Sequence, residues 1–183
     1  TGGAGFIGSN VARKLLNDGF EITILDNFLT QIHGDLNELS SDLKDRVKLV
    51  VGDVADKSLL YSALHGQDAV IHYAAETGTG QSMYAVSHYT NVNIQATANL
   101  CDFIINEEHN IKSIIVASSR SIYGEGKYYS QEFGDLYPKS RSFKNVSEKF
   151  EVSCPKSNKQ NLRLVATDEE SKIHPSSFYG ITK

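Results

Sequence analysis

Thr1-Gly2-Gly3-Ala4-Gly5-Phe6-Ile7-Gly8 opens the sequence, and its glycine spacing decides the fold. Gly2, Gly5 and Gly8 lack Cβ atoms, so the backbone can turn tightly from a strand into a helix and approach a pyrophosphate closely. The first N–H groups of that helix, with the positive end of its dipole, then face the phosphates. A glycine turn alone is a weak signal, equally compatible with an ordinary loop. Its continuation carries the weight. An amphipathic helix follows, with Val11, Leu15 and Leu16 on one side and Arg13 and Lys14 on the other, closed by Asp18-Gly19. A short apolar strand, Ile22 to Leu25, then ends in Asp26. That acidic residue lies roughly 20 residues past the glycines, where a carboxylate can accept hydrogen bonds from both adenosine ribose hydroxyls and repel a 2′-phosphate. NAD is favoured over NADP on this reading. The plainer alternative is that Asp26 caps a turn before Asn27.

Outward from this start, strands and helices keep alternating. The polar stretch to Arg46 reads as a loop with a short helix. Val47 to Val51 is a further strand, ended by Gly52-Asp53-Val54. Asp53 can accept a hydrogen bond from an adenine amino group, or equally cap the helix that begins near Lys57. Ala69 to His72 is the next strand, and Tyr73-Ala74-Ala75 after it are small enough for a ribose or pyrophosphate to lie flat. A helical pattern runs from about Ser82 to Glu108, interrupted near Ser87-His88-Tyr89. Ile114 to Ala117 then leads into Ser118-Ser119. This order predicts an α/β, Rossmann-like doubly wound parallel sheet with right-handed crossovers. Ligands of such sheets bind outside the carboxyl ends of the strands, so Gly2, Asp26, Asp53, Ala75 and Ser119 are expected around one crevice.

From Gly124 to about Pro175 the periodicity dissolves. Residues 125–175, with Tyr128, Tyr129, Phe133 and Phe143, read as an irregular insertion or lid ahead of the last helix, within one domain spanning 1–183. Lys139 to Lys159 hold six basic and two acidic side chains, expected as a solvated loop in preference to a phosphate-facing patch.

The chain has 183 residues, 40% hydrophobic and 22% charged, as in an ordinary globular domain. A net charge of −4 gives no reason to expect nucleic acid or an anionic membrane as partner. No apolar run approaches the roughly 20 residues that span a bilayer. Two cysteines, Cys101 and Cys154, do not make a disulfide framework, so a reducing cytoplasm is the default expectation. Both ends are expected to be cut: the glycine turn needs a preceding strand, and a carboxyl-terminal substrate domain is expected beyond Lys183.

The chemistry is expected from the last five residues, Tyr179-Gly180-Ile181-Thr182-Lys183. Four residues apart on a helix, Tyr179 and Lys183 would share a face. An ammonium beside a phenol favours the phenolate, which can then take a proton from a sugar hydroxyl as hydride leaves the same carbon.

Taken together, Thr1-Gly2-x-x-Gly5-x-x-Gly8, Gly52-Asp53, His72-x-Ala74-Ala75, Ser118-Ser119-x-x-x-Tyr123-Gly124 and Tyr179-x-x-x-Lys183 resemble the extended short-chain dehydrogenase/reductases, specifically the NAD-dependent nucleotide-sugar epimerases and dehydratases. The resemblance implies Tyr179 as catalytic acid/base, Lys183 as its partner and as a ligand of the nicotinamide ribose, and Ser119 as donor to the reacting oxygen. It implies NAD contacts from Gly2, Gly5, Phe6, Ile7, Gly8, Asp26, Asn27, Asp53, Val54, Ala74, Ala75, Asn93, Tyr179 and Lys183. Asn93 lies in Val92-Asn93-Ile94-Gln95-Ala96-Thr97, similar to the family's Asn-Val-x-Gly-Thr with Ala96 in place of Gly. A nucleotide-diphosphate sugar is the implied partner, near Thr77, Gln81, Ser82, Tyr84, Ser119 and Arg120. A homodimer through helices of this domain is a further implication.

The two positions after Ser119 discriminate reactions. Dehydratases of the family carry Asp-Glu there, and Arg120-Ser121 offers no carboxylate. Elimination is therefore disfavoured, and 4-epimerisation leads, with His72 to Tyr84 and Ser119 to Gly126 most similar to a subgroup containing dTDP-L-rhamnose 4-epimerases. A nucleotide-sugar dehydrogenase or reductase, a 4,6-dehydratase and a non-catalytic dinucleotide-binding module stand as alternatives. Relatives in that subgroup often carry a Cys-Pro-x-Cys knuckle. Here Cys154-Pro155-Lys156-Ser157 keeps one thiol, so no metal is expected.

Overall fold

Four parallel strands carry the first of two units into which the chain divides, Thr1–Glu76 with Ser87–Ala117. The computed structural model describes residues 1–141, 150–157 and 162–183. In this unit β1 (Thr23–Asp26) runs parallel to β2 (Lys48–Val51), with Asp26 opposite Val51. Likewise β3 (Ala69–His72) runs parallel to β4 (Ser113–Val116), with His72 opposite Val116. Residues Thr1 and Gly2 stitch the two pairs together. The Thr1 nitrogen donates to the Ile71 carbonyl at 2.8 Å, Tyr73 N–H donates to the Thr1 carbonyl at 3.1 Å, and Gly2 N–H donates to the Leu25 carbonyl at 2.8 Å. The resulting order is β2, β1, the Thr1–Gly2 segment, β3, β4. Chain order reverses at that central segment, the place where doubly wound sheets bind their ligands.

Successive strand side chains point to opposite faces, and at β1 both faces are covered. Ile24 packs with Phe28, Leu39, Ala12 of α1 (Phe6–Asn17) and Leu43 of α3 (Ser41–Lys44). A second short helix, α2 (Thr30–His33), lies between those two in sequence. The neighbouring Leu25 packs on the other face, with Leu60 and Leu64 of α4 (Lys57–Leu64) and with Leu100 and Phe103 of α7 (Ala96–Asn106). Phe103 is fully buried, with the Tyr61 ring edge-on at 5.0 Å. Burying a side chain of that size contributes about 1.5–3 kcal/mol. Helices on both faces of one parallel sheet make this a doubly wound α/β unit.

The second unit comprises Thr77–Val86 and Ser118–Lys183. It holds the one-turn helix α5 (Thr79–Ser82), a 3₁₀ turn (Arg120–Tyr123) and α8 (Phe178–Ile181). It also holds a three-stranded antiparallel sheet in which β5 (Tyr128–Ser130) lies between β6 (Gly134–Leu136) and β7 (Arg163–Leu164). The expected structureless insertion therefore contains regular pairing. Its strands, two or three residues long, are too short to show a period of two, and the β5–β6 reversal uses Gly134 at φ +72°. Arg141 anchors the segment through Glu125 at 2.7 Å. Of the basic run, Lys144, Lys149 and Lys159 lie outside the described residues, as does Phe143. Lys139 is exposed, and Lys156 stands over the Phe133 ring at 5.5 Å.

The long helix departs from expectation in its start and its break. Helix α6 (Val86–Tyr89) includes Ser87-His88-Tyr89, so the interruption falls earlier, at 83–85. Tyr89 is fully buried, which holds its turn in the helix. A π-helical stretch, Thr90–Gln95, then leads into α7. Such wide turns insert an extra residue into the helix and are often found where a side chain must be redirected. Here that side chain is Asn93.

Candidate active site

In the first unit the nucleotide-side residues surround the Thr1–Gly2 segment. Gly2 has φ +67°, and a Cβ there would lie 2.6 Å from the Ala74 nitrogen. Only glycine fits both the left-handed backbone and the close approach of the segment after β3. Gly8, buried in α1, faces the Gly2 carbonyl, so the helix starts directly against the turn. Gly5 caps α1 without a side-chain hydrogen bond, and Phe6 and Ile7 are exposed beside it. The first N–H groups of a long helix are therefore presented at the turn without a side-chain cap.

Asp26 is buried at the end of β1, yet its carboxylate is held by the turn itself. Ala4 N–H donates to Oδ2 at 2.9 Å, Phe28 N–H donates to Oδ1 at 3.0 Å, and His33 Nε2 stands 3.5 Å from Oδ1. The cap reading for Asp26 is met in part, since Phe28 does close a turn on it. The Ala4 bond adds what a simple cap lacks: it ties the carboxylate to the glycine turn. Asn27 closes its own turn by accepting Leu29 N–H at 3.1 Å. For Asp53 the helix-cap alternative fails. Asp56 caps α4, accepting Ser58 N–H at 2.9 Å and Leu59 N–H at 3.2 Å, while Asp53 accepts Ala55 N–H at 2.8 Å. Val54 is buried in the core beneath.

Asn93 does more than its sequence suggests. Its buried amide grips the backbone of Glu76 on both sides, accepting Glu76 N–H at 2.9 Å and donating to the Glu76 carbonyl at 3.1 Å. The Glu76 carboxylate, itself buried, pairs with His88 at 3.0 Å. Glu76 and His88 were not singled out by sequence; both fall in segments read as loop or helix, and only the fold brings them together. Around the same strand end, Thr1 Oγ1 lies 2.9 Å from His72 Nδ1 and accepts Ala74 N–H at 3.1 Å.

In the second unit the three expected catalytic residues share one small assembly. Ser119 caps the 3₁₀ turn, its Oγ accepting Ser121 N–H at 3.1 Å. Ser177 caps α8 by accepting Gly180 N–H at 3.0 Å. The two pieces touch closely: a Cβ on Gly180 would lie 2.6 Å from the Ser121 carbonyl oxygen, and His174 N–H donates to the Ile122 carbonyl at 2.9 Å. Ser118 Oγ donates to the Lys183 carbonyl at 3.3 Å. Tyr179 lies on α8, which covers Phe178–Ile181, and Thr182 caps it by donating its N–H to the Phe178 and Tyr179 carbonyls. Lys183 is half-buried, and that burial pulls its ammonium below the usual lysine range.

Of the residues expected near the sugar, Thr77 and Tyr84 are exposed and Gln81 is half-buried. Arg120 is exposed on the 3₁₀ turn. Ser82 is different. It is fully buried, its hydroxyl donates to the Thr79 carbonyl at 2.7 Å and accepts Tyr179 N–H at 2.9 Å. The geometry gives it the task of holding the backbone of Tyr179. Among the described residues, no group of three or more His, Cys, Asp or Glu side chains is arranged to hold a metal ion. Nor is any described helix long and apolar enough to cross a membrane.

Comparison with known proteins gives the family. A model of the NAD dependent epimerase/dehydratase family matches residues 1–145. The dTDP-L-rhamnose 4-epimerase of Burkholderia thailandensis is 32% identical over 100% of this chain and 49% of its own. The UDP-glucose 4-epimerase of Bacillus subtilis is 34% identical over 68% of this chain and 37% of its own. Among solved structures, a dTDP-glucose 4,6-dehydratase of Streptomyces venezuelae with NAD bound superposes at TM-score 0.66 and 26% identity, covering 99% of this chain and 46% of that one. The UDP-glucose 4-epimerase of Bifidobacterium longum, in complex with NAD+ and UDP, gives 0.63 and 25%, covering 100% and 44%. The chain thus spans about half the length, or less, of the relatives it matches. With its glycine turn, its acidic β1 end and the extent of the family match, the chain belongs to the NAD-dependent epimerase/dehydratase family.

Proposed function

We propose that the protein is a nucleotide-sugar 4-epimerase in which Tyr179 is the acid/base. The residues present fit NAD: Gly2 lets the turn lie against the Ala74 backbone, α1 presents uncapped N–H groups, and the Asp26 carboxylate lies at the β1 end. Gly2, Gly5, Phe6, Ile7 and Gly8 would hold the pyrophosphate, Asp26 and Asn27 the adenosine ribose, Asp53 and Val54 the adenine, and Ala74 and Ala75 the segment between. Bound NAD supplies a hydride acceptor that returns the hydride to the same carbon.

The chain's own residues do the rest. The Tyr179 phenolate takes the proton of the sugar 4-hydroxyl and later returns it, while Ser119 Oγ donates a hydrogen bond to that oxygen. Lys183 supplies the positive charge that favours the phenolate. Asn93 supports the strand end through Glu76, and Ser82 holds the Tyr179 backbone. Thr77, Gln81, Tyr84 and Arg120 are the residues offered to the sugar nucleotide.

One observation carries the choice of reaction. The 3₁₀ turn capped by Ser119 continues with Arg120 and Ser121, so no carboxylate follows Ser119 to eliminate water. The curated relatives named above are 4-epimerases, which supports the same reading. A homodimer and a cytoplasmic location belong to this proposal. These 183 residues alone are expected to be inactive, so the test is to purify the full-length protein, with the substrate domain expected beyond Lys183, without added cofactor, denature it and assay the released NAD and NADH. Stoichiometric retained NAD, with C4 inversion of dTDP-L-rhamnose or a UDP-sugar, is expected. A protein that binds NAD weakly and releases NADH at each turnover is a dehydrogenase or reductase instead.

A further inference from the structure

The Asp26 carboxylate has a neighbour that the glycine and acidic signals do not announce. Chain folding after β1 brings the last residue of α2, His33, back over the carboxylate, with Nε2 3.5 Å from Oδ1. Both side chains are largely buried, at 12% and 7% exposure. Phe28, held at φ +50°, fixes the ring from the side, its centroid 5.2 Å from that of His33. The imidazole is thus ordered by packing while its nitrogen stops short of a good hydrogen bond, which needs about 2.7–3.2 Å. A carboxylate has roughly four acceptor positions, and the Ala4 and Phe28 N–H groups occupy two of them. A hydroxyl is both donor and acceptor. Seated beside this pair, it can donate to Asp26 Oδ1 and accept from His33 Nε2–H at once.

We infer that His33 is a second binding residue for the adenosine ribose, one ribose hydroxyl being held between the Asp26 carboxylate and the His33 imidazole. This rests on the proposed placement of the adenosine ribose at Asp26. It also distinguishes the site from one that reads the diol with a carboxylate alone, because the imidazole rewards a particular hydroxyl and not merely the absence of a phosphate.

The test uses ADP-ribose and its two analogues lacking either the 2′- or the 3′-hydroxyl of the adenosine ribose, titrated calorimetrically into the protein freed of its retained NAD. His33→Phe keeps the aromatic packing against Phe28 and removes the N–H. It is expected to weaken ADP-ribose about five- to tenfold, the range of one net hydrogen bond. For one deoxy analogue the wild type and His33→Phe should bind equally. His33→Gln, which restores a side-chain N–H, should recover part of the loss. Equal loss with all three ligands, or no loss with ADP-ribose, overturns the inference. Asp26→Ala is the separate control: if it leaves ADP-ribose binding intact, the ribose does not sit at Asp26 and the underlying reading fails on its own.

Discussion

The two units hold their candidate residues by different means. In the first, they sit at strand ends of a parallel sheet with packed clusters on both faces, and each position inherits its place from the sheet. In the second, Ser119 caps a 3₁₀ turn and the Tyr179 N–H donates to the buried Ser82 hydroxyl, with Gly180 in close backbone approach to Ser121. Hydrophobic burial fixes the candidate nucleotide residues. Directional hydrogen bonds hold the candidate catalytic ones. The contrast suits the proposed division of labour: a cradle for a large ligand tolerates little remodelling, whereas an acid/base group needs accurate aim over a short reach.

The largest effect that would sharpen this contrast is Tyr179→Phe. It should lower turnover by about 10²–10⁴, the usual worth of a general acid/base, with retained NAD unchanged. Loss of NAD together with activity would mean that the two functions are not separable. Next is Gly180→Ala. The added Cβ would lie 2.6 Å from the Ser121 carbonyl oxygen, so an overpacking penalty of about 2–3 kcal/mol is expected, read as a lower urea midpoint. Asn93→Ala probes the other unit. Leaving the Glu76 N–H and carbonyl without their amide should cost about 2 kcal/mol in chemical denaturation. A smaller effect, about 1 kcal/mol, is expected for Ser82→Ala, since one acceptor for Tyr179 N–H is lost. Its kcat should fall more than its NAD binding. If instead NAD binding falls first, the second unit is not the separate holder of the catalytic residues.

The smallest expected effect is a pH dependence. Burial depresses the Lys183 pKa, so between that lowered value and the ordinary lysine value of about 10.4 the unfolded chain binds more protons than the folded one. Stability should therefore rise with pH through that alkaline window. Lys183→Met should flatten the rise in urea midpoint measured across it.

What could be read in the sequence follows the same division. Ile24 and Leu25 point to opposite faces and are both apolar, a pattern that a buried parallel strand imposes on its sequence. The glycine turn and Asp26 were legible because the backbone there accepts few other residues. The antiparallel strands Tyr128–Ser130, Gly134–Leu136 and Arg163–Leu164 were not, because two or three residues cannot display a period and one partner is remote along the chain. Ser82 was read as a sugar contact for a related reason. The family resemblance points it at the sugar, whereas both its hydrogen-bond partners, Thr79 and Tyr179, are supplied by the fold. The helix cap open to Asp53 in the sequence falls one turn later, on Asp56, which accepts the Ser58 and Leu59 N–H groups.

The Thr1–Gly2 segment carries a consequence for the order of assembly. Its hydrogen-bond partners lie at Leu25, Ile71 and Tyr73, so no neighbour along the chain can form the turn with it. Closing loops of that length has an entropic cost that local helices do not meet. The glycine turn is thus completed only after β1 and β3 have found each other, and the Gly2 amide should exchange with solvent on the timescale on which those strands part. A ligand that grips this turn would clamp the sheet at its middle.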